Sequence, residues 1–143
     1  MEITETYRMP APPERVWALL MDPEAICASI PGCQSLVSVG EDRYKATLAI
    51  SMAAITGNYE GTVAILDKVP HSSYRMTVEG QGRPGFVKGE ATIALRPDGQ
   101  ETLVDVRGQV QTGGLIARLG QRLIANVSKM MQDRFFANLN TRL

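Results

Sequence analysis

The chain has 143 residues and carries 15 basic and 15 acidic side chains, so its formal net charge at pH 7 is zero. A chain of this length buries roughly two thirds of its unfolded surface in one ordinary domain, which needs neither disulfides nor metals to fold. Because no dense basic run is interleaved with aromatic residues, we expect a single domain over residues 1–143 that does not bind nucleic acid.

The first element is predicted by the alternating pattern of residues 2–9, which is typical of a strand. The same pattern places Glu2 and Glu5 where a secretory signal would need an apolar core. No later apolar run reaches the roughly 20 residues that span a bilayer. We therefore expect a cytoplasmic protein, and any contact with the inner face of the membrane would be peripheral.

Two short helices are predicted to follow this strand. Prolines at positions 10, 12 and 13 end the strand and begin a helix whose apolar side includes Leu20. Asp22 is a typical helix cap, and Pro23 after it occupies the first helical position. The second helix is expected to end near Ser29, before the turn at Pro31.

From residue 34 onward, the hydrophobic pattern has the period of two that indicates strands. Turn-forming residues separate the apolar segments, and short turns between successive strands require antiparallel neighbours. The six predicted strands are 36–39, 44–52, 59–66, 74–79, 87–95 and 103–110.

Residues 113–131 predict a long amphipathic helix. Continued at the same spacing, its apolar stripe meets Arg134, while Phe136 falls on the opposite, cationic side. The order of strand, two helices, six strands and long helix predicts an α+β helix-grip fold, in which a curved antiparallel sheet of about seven strands wraps round the C-terminal helix. The predicted stripe consists of Ile116, Leu119, Leu123, Val127 and Met130.

One glycine motif suggests nucleotide binding but stands in the wrong context. Residues 80–85 have the glycine spacing of a dinucleotide-binding loop, yet the next segment predicts a strand instead of the helix whose N-terminus would hold a pyrophosphate. Pro84 also disfavours a helical conformation at Arg83. We predict instead a flexible hairpin tip at the rim of a cavity.

Catalytic and metal-binding constellations are not evident in the sequence. His71 is the only histidine and lies in a predicted turn. Cys27 and Cys33 lack the histidine or second cysteine pair of a zinc site, so we expect two reduced structural thiols. Asp105 and Arg107 alternate with valines and are predicted to face solvent. We therefore expect no metal and no catalytic residue.

Adaptable apolar side chains are the distinctive feature of the composition. The chain has seven methionines, a residue type that suits irregular ligands, although methionines also fill cores. Ala46, Ala54 and Gly61 leave volume that a packed core would fill, which favours a ligand cavity. Tyr59 or Tyr74 could orient a ligand carbonyl. The predicted lining is Leu20, Ile50, Met52, Tyr59, Met76, Phe86, Leu119, Leu123, Val127 and Met130.

Four short motifs are distributed over nearly the whole chain. They are Pro31-Gly32-Cys33-Gln34-Ser35-Leu36, Gly57-x-Tyr59-x-Gly61, Gly80-x-Gly82-x-x-Gly85-Phe86 and Gly113-Gly114-Leu115-Ile116-Ala117-x-Leu119-Gly120-Gln121-Arg122-Leu123-Ile124. In this order and spacing they resemble the carbon monoxide dehydrogenase G-subunit family. The resemblance implies the START-like, polyketide-cyclase-related superfamily, whose helix-grip fold holds hydrophobic ligands between sheet and long helix.

The resemblance also implies a function. Members of the family are associated with molybdenum-containing carbon monoxide dehydrogenases and related hydroxylases as non-catalytic accessory proteins. It suggests recruitment of the enzyme to the membrane and electron transfer to a non-covalently bound isoprenoid quinone or another lipophilic molecule. Two alternatives stay open, namely a START-like cyclase, aromatase or hydrolase with a hydrophobic substrate, and an assembly factor with a filled core.

Overall fold

The computed structural model describes residues 1–52 and 55–143. Its order of elements confirms the predicted series of strand, two helices, six strands and C-terminal helix. The elements are β1 (Glu2–Met9), α1 (Pro13–Leu20), α2 (Pro23–Ser29), β2 (Cys33–Gly40), β3 (Arg43–Ile50), β4 (Gly57–Val69), β5 (Ser73–Gly82), β6 (Gly85–Asp98), β7 (Glu101–Gly113), a 3-10 helix (Ile116–Leu119) and α3 (Gln121–Asn140).

The seven strands form one antiparallel sheet in the order β1-β7-β6-β5-β4-β3-β2. The first strand of the chain therefore pairs with the last, with Glu2 opposite Gln109 and Met9 opposite Thr102. Successive strands from β2 to β7 pair as antiparallel neighbours, as the sequence predicts. The result is the predicted α+β helix-grip arrangement, with a curved sheet and a long helix at its C-terminal end.

Helices α1 and α2 begin where proline and capping residues place them. Pro13 opens α1, and Asp22 caps α2 by accepting a hydrogen bond from the Glu24 amide at 3.0 Å. Together with the end of α3, both helices cover one end of the sheet and enclose the core there. The core includes Met9, Val16, Trp17, Leu20, Ala25, Leu95, Val104, Phe136 and Leu139.

The C-terminal helix begins later than the sequence predicts. Gly113 is the last residue of β7, and Gly114 has a φ of +70°, which α-helical residues do not adopt. Gly120, with a φ of +85°, then separates the 3-10 helix from α3. The prediction that residues 113–120 belong to the long helix is therefore wrong, because Gly113 ends a strand and Gly114 and Gly120 have positive φ angles.

The buried face of α3 is also different from the predicted one. Phe136 is buried and stacks on Tyr7 at 4.2 Å, whereas Leu123 is 40% exposed and Arg134 is exposed. The true face is rotated by about 100°, or one residue along the helix. Ile116 and Leu119 of the predicted stripe lie outside α3, and within α3 the packing of Phe136 on Tyr7 turns the neighbouring face inward. The face turned toward the sheet comprises Ser128, Met131, Gln132, Phe135 and Phe136.

Candidate functional site

A cavity of about 430 Å³ lies between the inner face of the sheet and α3, and α2 borders it through Ile26. Its walls are mostly apolar because every second residue of the central strands points inward. This size lies within the range of small-molecule sites. The apolar side chains of the wall include Ile26, Leu48, Val63, Met76, Val78, Ala91, Met131 and Phe135.

Glycines keep the sheet side of this cavity open. A Cβ atom at Gly61 would lie 2.5 Å from the Glu79 carbonyl oxygen, so the close backbone there requires glycine. At Gly80 and Gly89, by contrast, an added Cβ would meet nothing closer than 3.9 and 3.4 Å, respectively. Glycine weakens the interior of a strand, and its use where a side chain would fit is typical of a site that a ligand approaches.

The predicted small residues partly account for this open volume. Ala46 and Gly61 line the cavity as expected, while Ala54 lies outside the described residues. The sequence pattern does not predict that Gly80 and Gly89 contribute to this volume. Both line the cavity because the pairing of their strands places them on the inner face of the sheet. Gly61 pairs directly with Gly80, so two residues without side chains meet across neighbouring strands.

The polar group that projects into the cavity from α3 is the amide of Gln132. Its Nε2 donates to the Ser128 hydroxyl at 3.2 Å, one helical turn earlier. Its Oε1 is buried and has no hydrogen-bond partner among residues 1–52 and 55–143. Because the Ser128 hydroxyl can both donate and accept, the amide can offer either its oxygen or its NH2 group to a ligand. A buried acceptor without a partner is costly, and a ligand hydroxyl would satisfy it.

Two tyrosines were predicted to be available for a ligand carbonyl, and the structure separates them. Tyr59 lies outside the cavity lining, and its hydroxyl donates to the Ile55 carbonyl at 2.6 Å. Tyr74 lines the cavity, and its ring packs edge-on against Trp17 at 5.7 Å. Burial raises the pKa of Tyr74 well above its usual range, so its hydroxyl stays protonated and able to donate.

The cavity brings together few of the residues predicted to line it. Leu20 and Met76 are in the lining. Phe86 lies on the outer face of β6 with 48% of its surface exposed, because Val87 is the inward residue there. The ligand-binding role of all ten residues stays a prediction. The residues outside the lining are Ile50, Met52, Tyr59, Phe86, Leu119, Leu123, Val127 and Met130.

Side-chain contacts at the sheet edge fix the distance between α3 and β1. The Tyr7 hydroxyl donates to the Asp133 carboxylate at 2.7 Å, and Lys129 lies 3.6 Å from Glu5. Burial and the neighbouring carboxylate raise the pKa of Tyr7, while this hydrogen bond, followed by the one from Lys129, lowers the pKa of Asp133. The stack of Tyr7 on Phe136 adds apolar contact between β1 and α3.

Side chains that could act as acids, bases or nucleophiles lie mostly away from the cavity. His71 occupies the turn between β4 and β5, as predicted. Asp105 faces outward as predicted and binds Arg96 at 2.6 Å, which lowers the pKa of Asp105. The Cys27 and Cys33 sulfurs are 3.0 Å apart, and burial followed by this hydrogen bond raises the pKa of Cys33 to about 12.

Metal-binding clusters and membrane-spanning helices are absent from the described part of the chain. In residues 1–52 and 55–143, no group of three or more histidine, cysteine, aspartate or glutamate side chains is placed to hold a metal ion. No helix within these ranges combines the length and apolar character needed to cross a bilayer. The cavity itself, with its apolar walls and the Gln132 amide, is suited to binding through apolar contact and one or two neutral hydrogen bonds.

Comparison with solved structures identifies relatives of the same architecture. A conserved protein from Geobacillus kaustophilus is 34% identical, with a TM-score of 0.97 over 99% of this chain and 94% of that chain. A START superfamily protein from Mycobacterium smegmatis is 14% identical, with a TM-score of 0.77 over 99% of this chain and 95% of that chain. The second likeness shows the fold alone.

Comparison with protein-family models identifies a relationship at the level of sequence as well. No curated protein matches the chain. The family model that describes the G subunit of carbon monoxide dehydrogenase (CoxG) matches residues 6–143, which is nearly the whole chain. The motifs that resemble this family include the cavity residues Gly61 and Gly80. The chain therefore belongs to the carbon monoxide dehydrogenase G-subunit (CoxG) family and has the START-like helix-grip fold.

Proposed function

We propose that this protein is a non-catalytic accessory factor of a molybdenum-containing carbon monoxide dehydrogenase or a related hydroxylase, and that it binds an isoprenoid quinone in its cavity. The family supports the accessory role and the fold supports a hydrophobic ligand. The observation that carries the ligand proposal is the open volume above Gly80 and Gly89, where side chains would fit without backbone strain. This open volume does not agree with an assembly factor that has a filled core.

The size and polarity of the cavity favour one part of such a ligand. A water molecule takes up about 30 Å³ in the liquid, so a cavity of 430 Å³ has room for on the order of 14 groups of that size. That is room for a quinone ring and the first part of its chain, while the rest of an isoprenoid tail would extend beyond the cavity. Apolar burial contributes about 25 cal/mol per Å² to binding. The Gln132 amide and the Tyr74 hydroxyl can donate to ring carbonyls.

A bound quinone would connect a dehydrogenase to the membrane. Reduction of the ring delivers two electrons and two protons to a molecule that partitions into lipid, so the protein would assist recruitment to the membrane and electron transfer to quinone. An enzyme of the same fold would need an acid or base in the cavity. Glu79 and Glu90 alternate with inward residues, so their carboxylates point to the outer face, where Glu79 pairs with Lys88 at 3.4 Å.

The proposal is tested by extracting the protein, purified from its native host, into organic solvent and analysing the extract by mass spectrometry. We expect a quinone in stoichiometric amount with the protein. A clean extract would by itself leave room for loss of the ligand during purification, so added quinones are titrated as well. A clean extract from a protein that also rejects added quinones would contradict the proposal.

Replacing Gln132 by leucine should separate apolar burial from polar recognition. The amide is lost, so we expect affinity for a quinone to fall by about 2- to 10-fold, the value of one neutral hydrogen bond. The unfolding free energy of the empty protein should not fall, because a buried oxygen without a partner is removed at the same time. Gln121→Leu, at an exposed position of the same helix, is the matched control. Equal affinity in the two variants would mean that Gln132 does not contact the ligand.

A further inference from the structure

The 3-10 helix contacts both β6, next to the turn between β5 and β6, and the start of α3. The Ile116 amide donates to the Pro84 carbonyl at 2.9 Å, and both residues are buried beneath the surface. The next residues along each segment point outward. We call this surface the arginine–leucine end, and it consists of Arg83, Phe86, Leu115, Arg118, Arg122 and Leu123.

Large apolar side chains are unusually exposed at this end. Leu115 is 58% exposed, and Phe86 and Leu123 are also largely uncovered. Single exposed apolar residues are ordinary, but a cluster of them marks an interaction site. The remaining large exposed hydrophobic residues of the described ranges lie on other strands, at Val37, Val39 and Val69. A partner that covers Phe86, Leu115 and Leu123 must accept aliphatic and aromatic groups.

The charge of the same surface is entirely positive. Arg83, Arg118 and Arg122 are exposed, and none of them forms an ion pair with another described residue. No aspartate or glutamate occurs in residues 80–89 or 106–132, which supply the whole surface. The three guanidinium groups therefore lack local neutralisation, and they attract an anionic partner.

We propose that the arginine–leucine end docks on an anionic lipid bilayer. Leu115 and its apolar neighbours enter the acyl boundary, while the arginines contact lipid phosphates above it. A bilayer offers both environments in that order, with charged groups outside and apolar chains beneath. An acidic protein surface would satisfy the arginines but would leave protruding leucines against polar groups.

The position of this surface deepens the proposed function, on which it rests for its purpose. Val87 and Gly80 line the cavity and adjoin Phe86 and the β5–β6 turn, so the surface borders the cavity. Docking by this end places the cavity beside the lipid from which a lipophilic ligand is taken. The protein would then collect its ligand without the ligand crossing water.

The test is cosedimentation of the full chain with vesicles of phosphatidylcholine alone or of equal parts phosphatidylcholine and phosphatidylglycerol. We expect binding to the anionic vesicles that weakens as salt is raised. In the double variant Arg118→Gln/Arg122→Gln, affinity for the anionic vesicles should fall roughly 30-fold, because each arginine contributes about 1 kcal/mol to binding. Leu115→Ser should also weaken binding. Arg15→Gln/Arg142→Gln removes the same charge from exposed positions outside this surface and should bind as the wild type does.

A second measurement separates failure of this inference from failure of ligand binding. Trp17 is the only tryptophan and packs on the cavity residue Tyr74, so a short-chain naphthoquinone in solution should quench its fluorescence. The arginine double variant should keep this quenching while losing vesicle binding. Vesicle binding without quenching would support docking by the arginine–leucine end and contradict quinone binding in the cavity. Unchanged vesicle binding by the variants, or loss of binding only to the purified dehydrogenase, would overturn the bilayer assignment.

Discussion

Gly89→Leu is expected to weaken uptake of a quinone-sized ligand by up to about two orders of magnitude while leaving the fold at least as stable as the wild type. Gly89 lies within β6 and faces the cavity, and an added Cβ meets nothing closer than 3.4 Å. The leucine side chain therefore occupies ligand volume without moving the backbone. Loss of glycine flexibility in the unfolded chain stabilises by about 0.4–1 kcal/mol. Affinity should fall by roughly 5- to 150-fold, since overpacking a filled site costs about 1–3 kcal/mol.

Quenching of Trp17 by a short-chain naphthoquinone measures the affinity, and thermal unfolding measures the stability. Gly40→Leu is the matched control, because it makes the same change at an exposed strand position away from the cavity. If Gly89→Leu binds as tightly as the wild type, the ligand does not use this cavity. Should the variant unfold more easily, Gly80→Leu repeats the test at a second open position.

Leu139→Ala is expected to lower the free energy of unfolding by about 2–5 kcal/mol, whereas Leu123→Ala should change it by about 0.5 kcal/mol or less. Both leucines lie in α3, but Leu139 is fully buried in the core and Leu123 is 40% exposed. Only the first substitution leaves a cavity among packed side chains.

Denaturant unfolding of the two alanine variants, analysed with a common m value, gives both free energies. The pair is its own control because residue type, helix and substitution are the same. Equal losses of unfolding free energy would instead support the apolar stripe that the sequence predicts, which has Leu123 at its centre. A large loss for Leu139 alone supports the face that carries Ser128, Met131 and Phe135.

The element order and the antiparallel sheet could be predicted from the sequence because both depend on local patterns. Period-two segments separated by turn residues lead to consecutive antiparallel neighbours, and Asp22 before Pro23 places the start of α2 correctly. The start of α3 could not be read in the same way. Apolar spacing continues through residues 113–120, but the glycines there adopt conformations that no periodicity reveals.

The lining of the cavity was harder to predict because it depends on which side of each element faces inward. In β6, Phe86 and Val87 are both large and apolar, and only the strand register decides that Val87 is inside. In α3, apolar residues border two stripes, and the packing of Phe136 on Tyr7 selects between them. Gln132 was missed because a glutamine on a helix is ordinarily solvated, and its burial depends on that rotation.

The unequal attachment of α3 gives its two halves different stabilities. Its C-terminal half is held by buried Phe136 and Leu139 and by the Asn138 amide, which donates to the Ser29 carbonyl at 3.0 Å. Its first turn is exposed and follows Gly120, which carries no side chain to contact the sheet. Regions with few buried contacts open with less free energy than the whole protein needs to unfold. We therefore expect the first turn of α3 to fray at a lower free energy than global unfolding requires, so that tightening the core leaves the mobility of this turn unchanged.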